Sequence, residues 1–391
     1  MKRILPVIVL SQFFCTSLWF AGNAVIGDIA GHLQLSAAFV AYLTSAVQAG
    51  FIAGTLLFAL FGLADRFSST HVFFTCAVAA AIINLGIILP FLTPGTLLGL
   101  RFATGFFLAG IYPVGMKIAS DHFQQGLGKS LGFLVGALVL GTAFPHLLKS
   151  LSSGFHWHSV VITTSLLAAL GGLAMVLLVP RLSNTNLSRK PTLSPIIKAF
   201  SHPEFKAAAW GYFGHMWELY VFWAFLPVML TQWNKQHADI LLNVPLLSFI
   251  IIAAGAISCM ASGYISQSIG AKKTATLALL LSCVCCITSP LLFNSGSGTG
   301  LIVFLVFWSM MVIADSPMFS TLIAQNAPPE VKGSLLTLVN CIGFSLTIFS
   351  IQLIGSLRTD ANWVNIFVLL SVGPILGLVA LFSNKPSKLN A

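Results

Sequence analysis

Charge is what this sequence has least of: of 391 residues only 7% are Asp, Glu, Lys or Arg, and nine are acids. A soluble domain carries about 25% charged residues. With 57% hydrophobic residues and a mean hydropathy of +0.95, the chain has more apolar surface than a water-facing fold can hide. Long polar stretches are missing too, which leaves no room for a nucleotide-binding domain. No complete phosphate-cradling glycine loop with Lys-Ser/Thr is present, so ATP drive from this chain is not expected. The seven cysteines, Cys15, Cys76, Cys259, Cys283, Cys285, Cys286 and Cys341, all lie in apolar runs, and no extracellular disulfide framework follows. Cys283, Cys285 and Cys286 read as small packing residues rather than soft-metal ligands. His156 and His158, flanking Trp157 in a loop, lack the further ligands a metal needs. Neither a cofactor, a metal nor a catalytic set is expected.

What is there instead is apolar sequence in blocks about 20 residues long, the length that crosses a hydrocarbon core of roughly 30 Å. Breaks at polar clusters place spans near 4–27, 37–61, 71–92, 97–121, 130–150 and 158–180, then 206–232, 244–267, 273–293, 299–325, 334–357 and 363–383. The reading is an all-α integral membrane protein of twelve transmembrane helices. Lys2 and Arg3 before an apolar run resemble a signal peptide, but eleven further spans follow and the segment has a partner in the second half, so the first span is expected to stay.

The net charge of +10 is a topology signal rather than a nucleic-acid footprint. Fifteen of the 19 Lys and Arg fall on one side, only Lys149, Lys235 and Arg358 on the other, and Arg101 within a span. The positive-inside rule then puts both termini in the cytoplasm, in a bacterial-type cytoplasmic (inner) membrane, with the lipid bilayer rather than nucleic acid as partner.

The chain is internally duplicated. Pro113 and the Lys129-Ser130-Leu131 junction recur at a constant offset of 204 as Pro317 and Gly333-Ser334-Leu335, and Trp19 recurs as Trp223. An offset of 202 carries Asp65 onto Gln267. Two parallel six-span bundles follow, at 1–180 and 206–391, joined by a basic cytoplasmic linker at 181–205. Phe61-Gly62-Leu63-Ala64-Asp65-Arg66 follows the second span, and Arg101-Phe102-Ala103-Thr104-Gly105 lies in the fourth.

That layout and those two segments resemble the major facilitator superfamily. The first segment is similar to the family's loop signature, in which an acid helps latch the cytoplasmic helix ends, and this implies a gating role for Asp65 and Arg66. The match is partial: Phe61 stands where a glycine is usual, and Ser68, Ser69 and Thr70 follow the Asp-Arg pair. The second is similar to the Arg-x-x-x-Gly signature whose arginine is often linked to proton coupling. The fifth span lacks the Gly-Pro pair typical of drug/proton antiporters, and the second and eighth spans lack the arginines of nitrate-type carriers. The resemblance implies halves that rock about a midplane site lined by the first, fourth, seventh and tenth spans.

A charged side chain at a helix centre costs about 2.5–3.5 kcal/mol on insertion scales, so ionisable residues inside spans are functional candidates. Only Glu218 and Asp315 are acids within spans. His215, three residues before Glu218, shares its helical face, so the two can share a proton or a substrate contact. Asp315 stands two residues before the helix-bending Pro317. Arg101 is near enough to a span end to snorkel to the interface, or else acts with Gly105. Glu218, Asp315, Arg101 and His215 are the expected proton-coupling residues. Tyr112, Trp217, Tyr220, Asn340 and Trp19 are the expected substrate contacts. The function expected is secondary active transport of a small organic solute by alternating access, proton-coupled and carried out by a monomer. A proton-driven efflux pump for amphiphilic compounds is the alternative, with a channel or a polytopic membrane enzyme as the rival from other classes.

Overall fold

The computed structural model describes residues 4–36, 38–123, 127–151, 156–181, 198–328 and 331–383. Among the described residues, twelve helices or broken helices are long and apolar enough to cross a membrane. The first six spans are Ile4–Gly31, Phe39–Phe61, Ser69–Ile88, Pro94–His122, Gly132–Leu151 and His158–Leu178. The last six are Pro203–Gln236, Val244–Ile269, Ala271–Phe293, Gly298–Asn326, Lys332–Leu357 and Ile366–Ser383. Each coincides with an expected span, with ends shifted by at most four residues. Most of the linker expected at 181–205, together with Lys2, Arg3, Lys385 and Lys388, lies outside the described residues.

The duplication reaches the helix breaks. The fourth span is Pro94–Leu108 followed by Tyr112–His122, and the tenth is Gly298–Ala314 followed by Ser316–Asn326. The second segments start and stop at the same offset of 204. The cause is Pro113 and Pro317, which lack the N–H that would bond the carbonyl four residues back. In the tenth span that carbonyl belongs to Ile313, and the Cys259 thiol donates to it at 3.6 Å. The first span is also interrupted, at Ser17 and Val25, and Ser17 Oγ donates back to Phe14 O at 2.6 Å, a bond that bends helices. The seventh span, by contrast, runs unbroken for 34 residues.

Turns use glycine where the backbone demands it. Gly62 after the second span and Gly270 after the eighth have φ of 58° and 86°, a region open to glycine at little cost. Inside the first bundle the second and fourth spans touch backbone to backbone. A Cβ on Gly50 would strike the Phe102 carbonyl, and one on Gly105 the Val47 carbonyl. In the second bundle Gly214 meets the Gly373 carbonyl in the same way. Such close approaches replace the hydrophobic effect, which drives little between helices in lipid. The bundles meet along the fifth span against the eighth and the second against the eleventh. Gln352 Nε2 donates to Ser45 Oγ across that second seam at 2.8 Å.

Gly105→Val should therefore force the second and fourth spans apart, at an overpacking cost of about 1–3 kcal/mol, and lower the melting temperature of the purified protein by several degrees. Gly99→Val, where a Cβ meets nothing within 4 Å, should leave it unchanged; equal shifts would refute the close-approach account.

Candidate functional site

The seventh span organises the centre of the molecule, because its side chains point to different neighbours at 100° per residue. His215 and Glu218 both lie on the side of their own bundle, but they serve different partners. His215 Nδ1 lies 2.7 Å from Asp315 Oδ1, and both side chains are 0% exposed. Asp315 stands at the break of the tenth span, where its carbonyl accepts from Phe319 N at 2.9 Å. The backbone N–H groups of Asp315 and Ser316 also approach the Asp315 carboxylate.

Glu218 is held in a different way. Its carboxylate accepts from Trp308 Nε1 at 2.6 Å, Ser282 Oγ at 3.0 Å and Cys286 Sγ at 3.2 Å. Three donors from the ninth and tenth spans are what an ionised carboxylate needs in a dry interior. The expectation that His215 and Glu218 share a proton is therefore corrected. Three residues on a helix turn the side chain by 300°, and the remaining 60° takes His215 to the break of the tenth span while Glu218 reaches the ninth span and Trp308, two turns before that break.

Arg101 does not snorkel. It is 0% exposed, because its guanidinium folds inward onto the first span. Nη1 donates to Leu18 O at 3.1 Å and to Asn84 Oδ1 at 3.3 Å, and Nη2 donates to Trp19 O. Gly22 leaves the room, since a Cβ there would sit 3.1 Å from Arg101 Nε. Asn84 continues the network to Ser165 Oγ at 2.9 Å. Among the described residues no carboxylate pairs with Arg101, so it braces the broken first span within its own bundle.

Trp19 and Tyr220 meet at the seam between the bundles, with ring centroids 5.9 Å apart, and Phe51 and Phe344 complete the cluster. Tyr112, which opens the second segment of the fourth span, packs against the same buried core as Tyr212 and Tyr220. Asn340 accepts from Tyr212 Oη at 2.8 Å. Trp217 is turned away from the seam: its Nε1 donates to Leu369 O at 3.2 Å and its ring packs on Phe349. The structure thus does not bring Trp217 to the other expected contacts, because it lies 60° round the helix from Tyr220 at 100° per residue.

Arg66 is exposed on the short helix Leu63–Arg66, while the Asp65 side chain lies outside the described residues. At the same end Lys117 pairs with Asp121 at 3.2 Å, and Arg181 with His71 at 2.9 Å. Sequence reasoning missed Tyr212, Asn84, Phe51, Phe344 and the three donors to Glu218. Tyr212 was within reach, standing one turn before His215. The donors to Glu218 were not, since they come from helices whose rotation the sequence does not reveal.

A twelve-span duplication with paired proline breaks and a polar, aromatic midplane is now in view, and the sequence profile described as Major Facilitator Superfamily matches residues 8–351. The chain belongs to the major facilitator superfamily. It is an integral membrane transporter of small molecules rather than an enzyme. No curated protein matches the sequence. Among solved structures, the nucleoside transporter NupG is similar at 17% identity and a TM-score of 0.69, over 98% of this chain and 100% of that one. A single-substitution variant of it is similar at 16% and 0.72, over 97% and 99%. A bacterial homolog of the human lysosomal transporter Spinster, in an inward-facing and occupied conformation, is similar at 13% and 0.71, over 98% and 96%. At these identities the likeness is one of fold.

Within this superfamily member the Arg101 network makes a direct prediction. Arg101→Lys and Asn84→Ala should each lower thermal stability, since hydrogen bonds to charged groups contribute about 1.5–3 kcal/mol. The double variant should fall short of the summed losses because the two share one network. Strict additivity of the melting shifts would show that the contact is not energetic.

Proposed function

We propose that this protein is a proton-coupled carrier of a small organic solute, with the His215–Asp315 pair as its principal proton site. The observation that carries the reading is the 2.7 Å contact between His215 Nδ1 and Asp315 Oδ1, wholly buried at a helix break. The pair joins the seventh span to the tenth, two of the four spans that line the central cavity in this superfamily's layout. Gaining or losing one proton changes its net charge by one in a dry interior, where an uncompensated charge costs several kcal/mol. Such a charge must be neutralised or hydrated before the halves close around it, and this ties the conformational cycle to proton occupancy.

Glu218 is the second acid, set one turn further along the seventh span and already supplied with three donors. It takes part through its charge on Asp315, or as a second proton site. Arg101 acts by bracing the first span, Asp65 and Arg66 act at the gate, and Trp19, Tyr112, Tyr220 and Asn340 face the solute. The units that rock are 1–180 and 206–391, linked through 181–205, and a single chain suffices. The Lys and Arg asymmetry supports a cytoplasmic membrane location with both termini inside. Import by symport and export by antiport use the same parts. The aromatic seam also suits an amphiphile carried outward, so direction is read from which gradient drives flux.

The test begins with a thermal-shift screen of metabolites, since a ligand of the folded state raises stability by mass action. Proteoliposomes then carry the hit. Wild type should accumulate it against its gradient when a pH gradient is imposed. Asp315→Asn should lose at least tenfold of that accumulation while keeping solute counterflow. If Asp315→Asn and Glu218→Gln both transport with wild-type pH dependence, the proton-site assignment is wrong, and gradient-independent flux at channel rates would remove the carrier itself.

A further inference from the structure

At the seam between the bundles four aromatic rings meet, and three polar side chains near them lack hydrogen-bond partners among the described residues. Trp19 and Phe51 come from the first bundle, Tyr220 and Phe344 from the second. Trp19 stacks on Phe344 at 5.8 Å with 27° between planes and meets Tyr220 in a tilted contact at 5.9 Å with 32°. Phe51 and Tyr220 close on Phe344 at 4.6 and 5.3 Å. All four are buried and stand near the middle of their spans.

The ring contacts between Trp19, Phe51 and their partners in the second bundle cross the line along which the bundles separate. When the bundles part, the Trp19–Phe344, Trp19–Tyr220 and Phe51–Phe344 contacts are lost, while Trp19–Phe51 and Tyr220–Phe344 stay within their bundles. An aromatic pair contributes about 0.5–1.5 kcal/mol beyond its buried area, so a solute that offers a flat π-face replaces what opening removes.

The polar groups narrow the solute further. The indole N–H groups of Trp19 and Trp223, and both ends of the Gln48 amide, are buried without hydrogen-bond partners among the described residues. Trp223 packs on Tyr220 at 5.3 Å. Gln48 stands one turn from Phe51 and one turn from Ser45, the residue that bonds Gln352 across the seam. Each unsatisfied buried group costs about 1–3 kcal/mol. Two indole donors and one amide call for a ligand with acceptors and an edge that both donates and accepts.

Charge is not called for. Arg101 is turned onto the first span, Glu218 onto Trp308, and Asp315 onto His215. An ion placed among the rings would be buried without a counter-charge, which is strongly unfavourable. A hexose, with five hydroxyls that each donate and accept, asks for more polar partners than three side chains supply.

We propose that these rings with Gln48 form the solute site, and that the solute is uncharged and carries a flat conjugated ring with hydrogen-bonding edges. The proposal rests on the carrier reading above and names the chemical class that reading leaves open.

Equilibrium binding to the purified, full-length protein tests it, using tryptophan fluorescence and thermal shift without any gradient. The probes are uracil, adenine and nicotinamide as flat uncharged rings, glucose as the hydroxyl-rich alternative, and tetraphenylphosphonium as the cation. At least one flat ring should bind saturably, at least tenfold tighter than glucose or the cation. Phe344→Leu and Gln48→Leu should each weaken it about tenfold or more, and Trp210→Phe, at a side chain facing outward from the bundle, should not. Should Trp19→Leu fail to fold, those two variants read the same site.

Binding of glucose or the cation in preference to every flat ring overturns the proposal. So does binding that neither variant weakens, or no binding by any flat ring. The proton reading fails separately: a flat ring that binds but is never accumulated by a pH gradient removes the coupling and leaves the site. Accumulation of glucose driven by pH does the reverse.

Discussion

A bundle core inside a bilayer offers no water to complete a hydrogen bond, and most of this structure follows from that. Every backbone break and every ionisable group must find its partner within the protein. The Ile313 carbonyl, freed by Pro317, takes the Cys259 thiol. Arg101, with no acid to pair, spreads its guanidinium over two carbonyls of the first span and the Asn84 amide. Glu218 collects three donors from two neighbouring helices. Other groups lie close to a partner or find none among the described residues: His215 and Asp315 meet at 2.7 Å, and the Trp19 and Trp223 indoles and the Gln48 amide are among the buried groups without a hydrogen-bond partner. These are the groups to which the proposed proton and solute roles are assigned.

The duplication distributes those tasks unevenly. At the offset of 204, Arg101 corresponds to Leu305, Asp315 to Ile111, and Glu218 to Phe14. The same two broken helices therefore carry a fixed cation in the first bundle and a titratable acid in the second. In the first bundle the polar network is built from an arginine that is always charged and from neutral amides and carbonyls, so it braces. In the second it is built from groups able to titrate, His215, Asp315 and Glu218. A common scaffold has been loaded with rigidity on one side and titration on the other.

The architecture was legible in the sequence to within a turn of each helix, because span length and the Lys and Arg distribution are set by bilayer thickness and by insertion. The offset of 204 was visible before any helix was seen, and the observed breaks at 112 and 316 obey it. The buried ionisable residues were visible as well, since scarcity alone singles out Arg101, Glu218 and Asp315. Their partners were not. Which helix His215 faces depends on a 60° rotation about the seventh span, and a period of 3.6 residues read from sequence does not say where the ninth, tenth and twelfth helices stand around it. Trp217 was misplaced for the same reason, and Phe51 and Phe344 were passed over because an apolar ring in an apolar run carries no signal until its neighbours are known.

The seventh span is where the proposed proton and solute groups are joined. It is unbroken over Pro203–Gln236, whereas the first, fourth and tenth spans each contain an interruption. His215 and Tyr220 are five residues apart on it, about 7.5 Å along the axis at 1.5 Å per residue. An unbroken helix links a shift at His215 to Tyr220, while the tenth span is interrupted at Asp315. Asp315 touches the unbroken helix at His215 and stands itself at the break of the tenth. On the proton-coupled reading, a change of charge at this contact repositions the tenth span against the seventh, and through the seventh it moves the second bundle's rings relative to Trp19 and Phe51. Coupling then needs no long relay: one unbroken helix, one interrupted helix and one buried acid–base contact between them suffice.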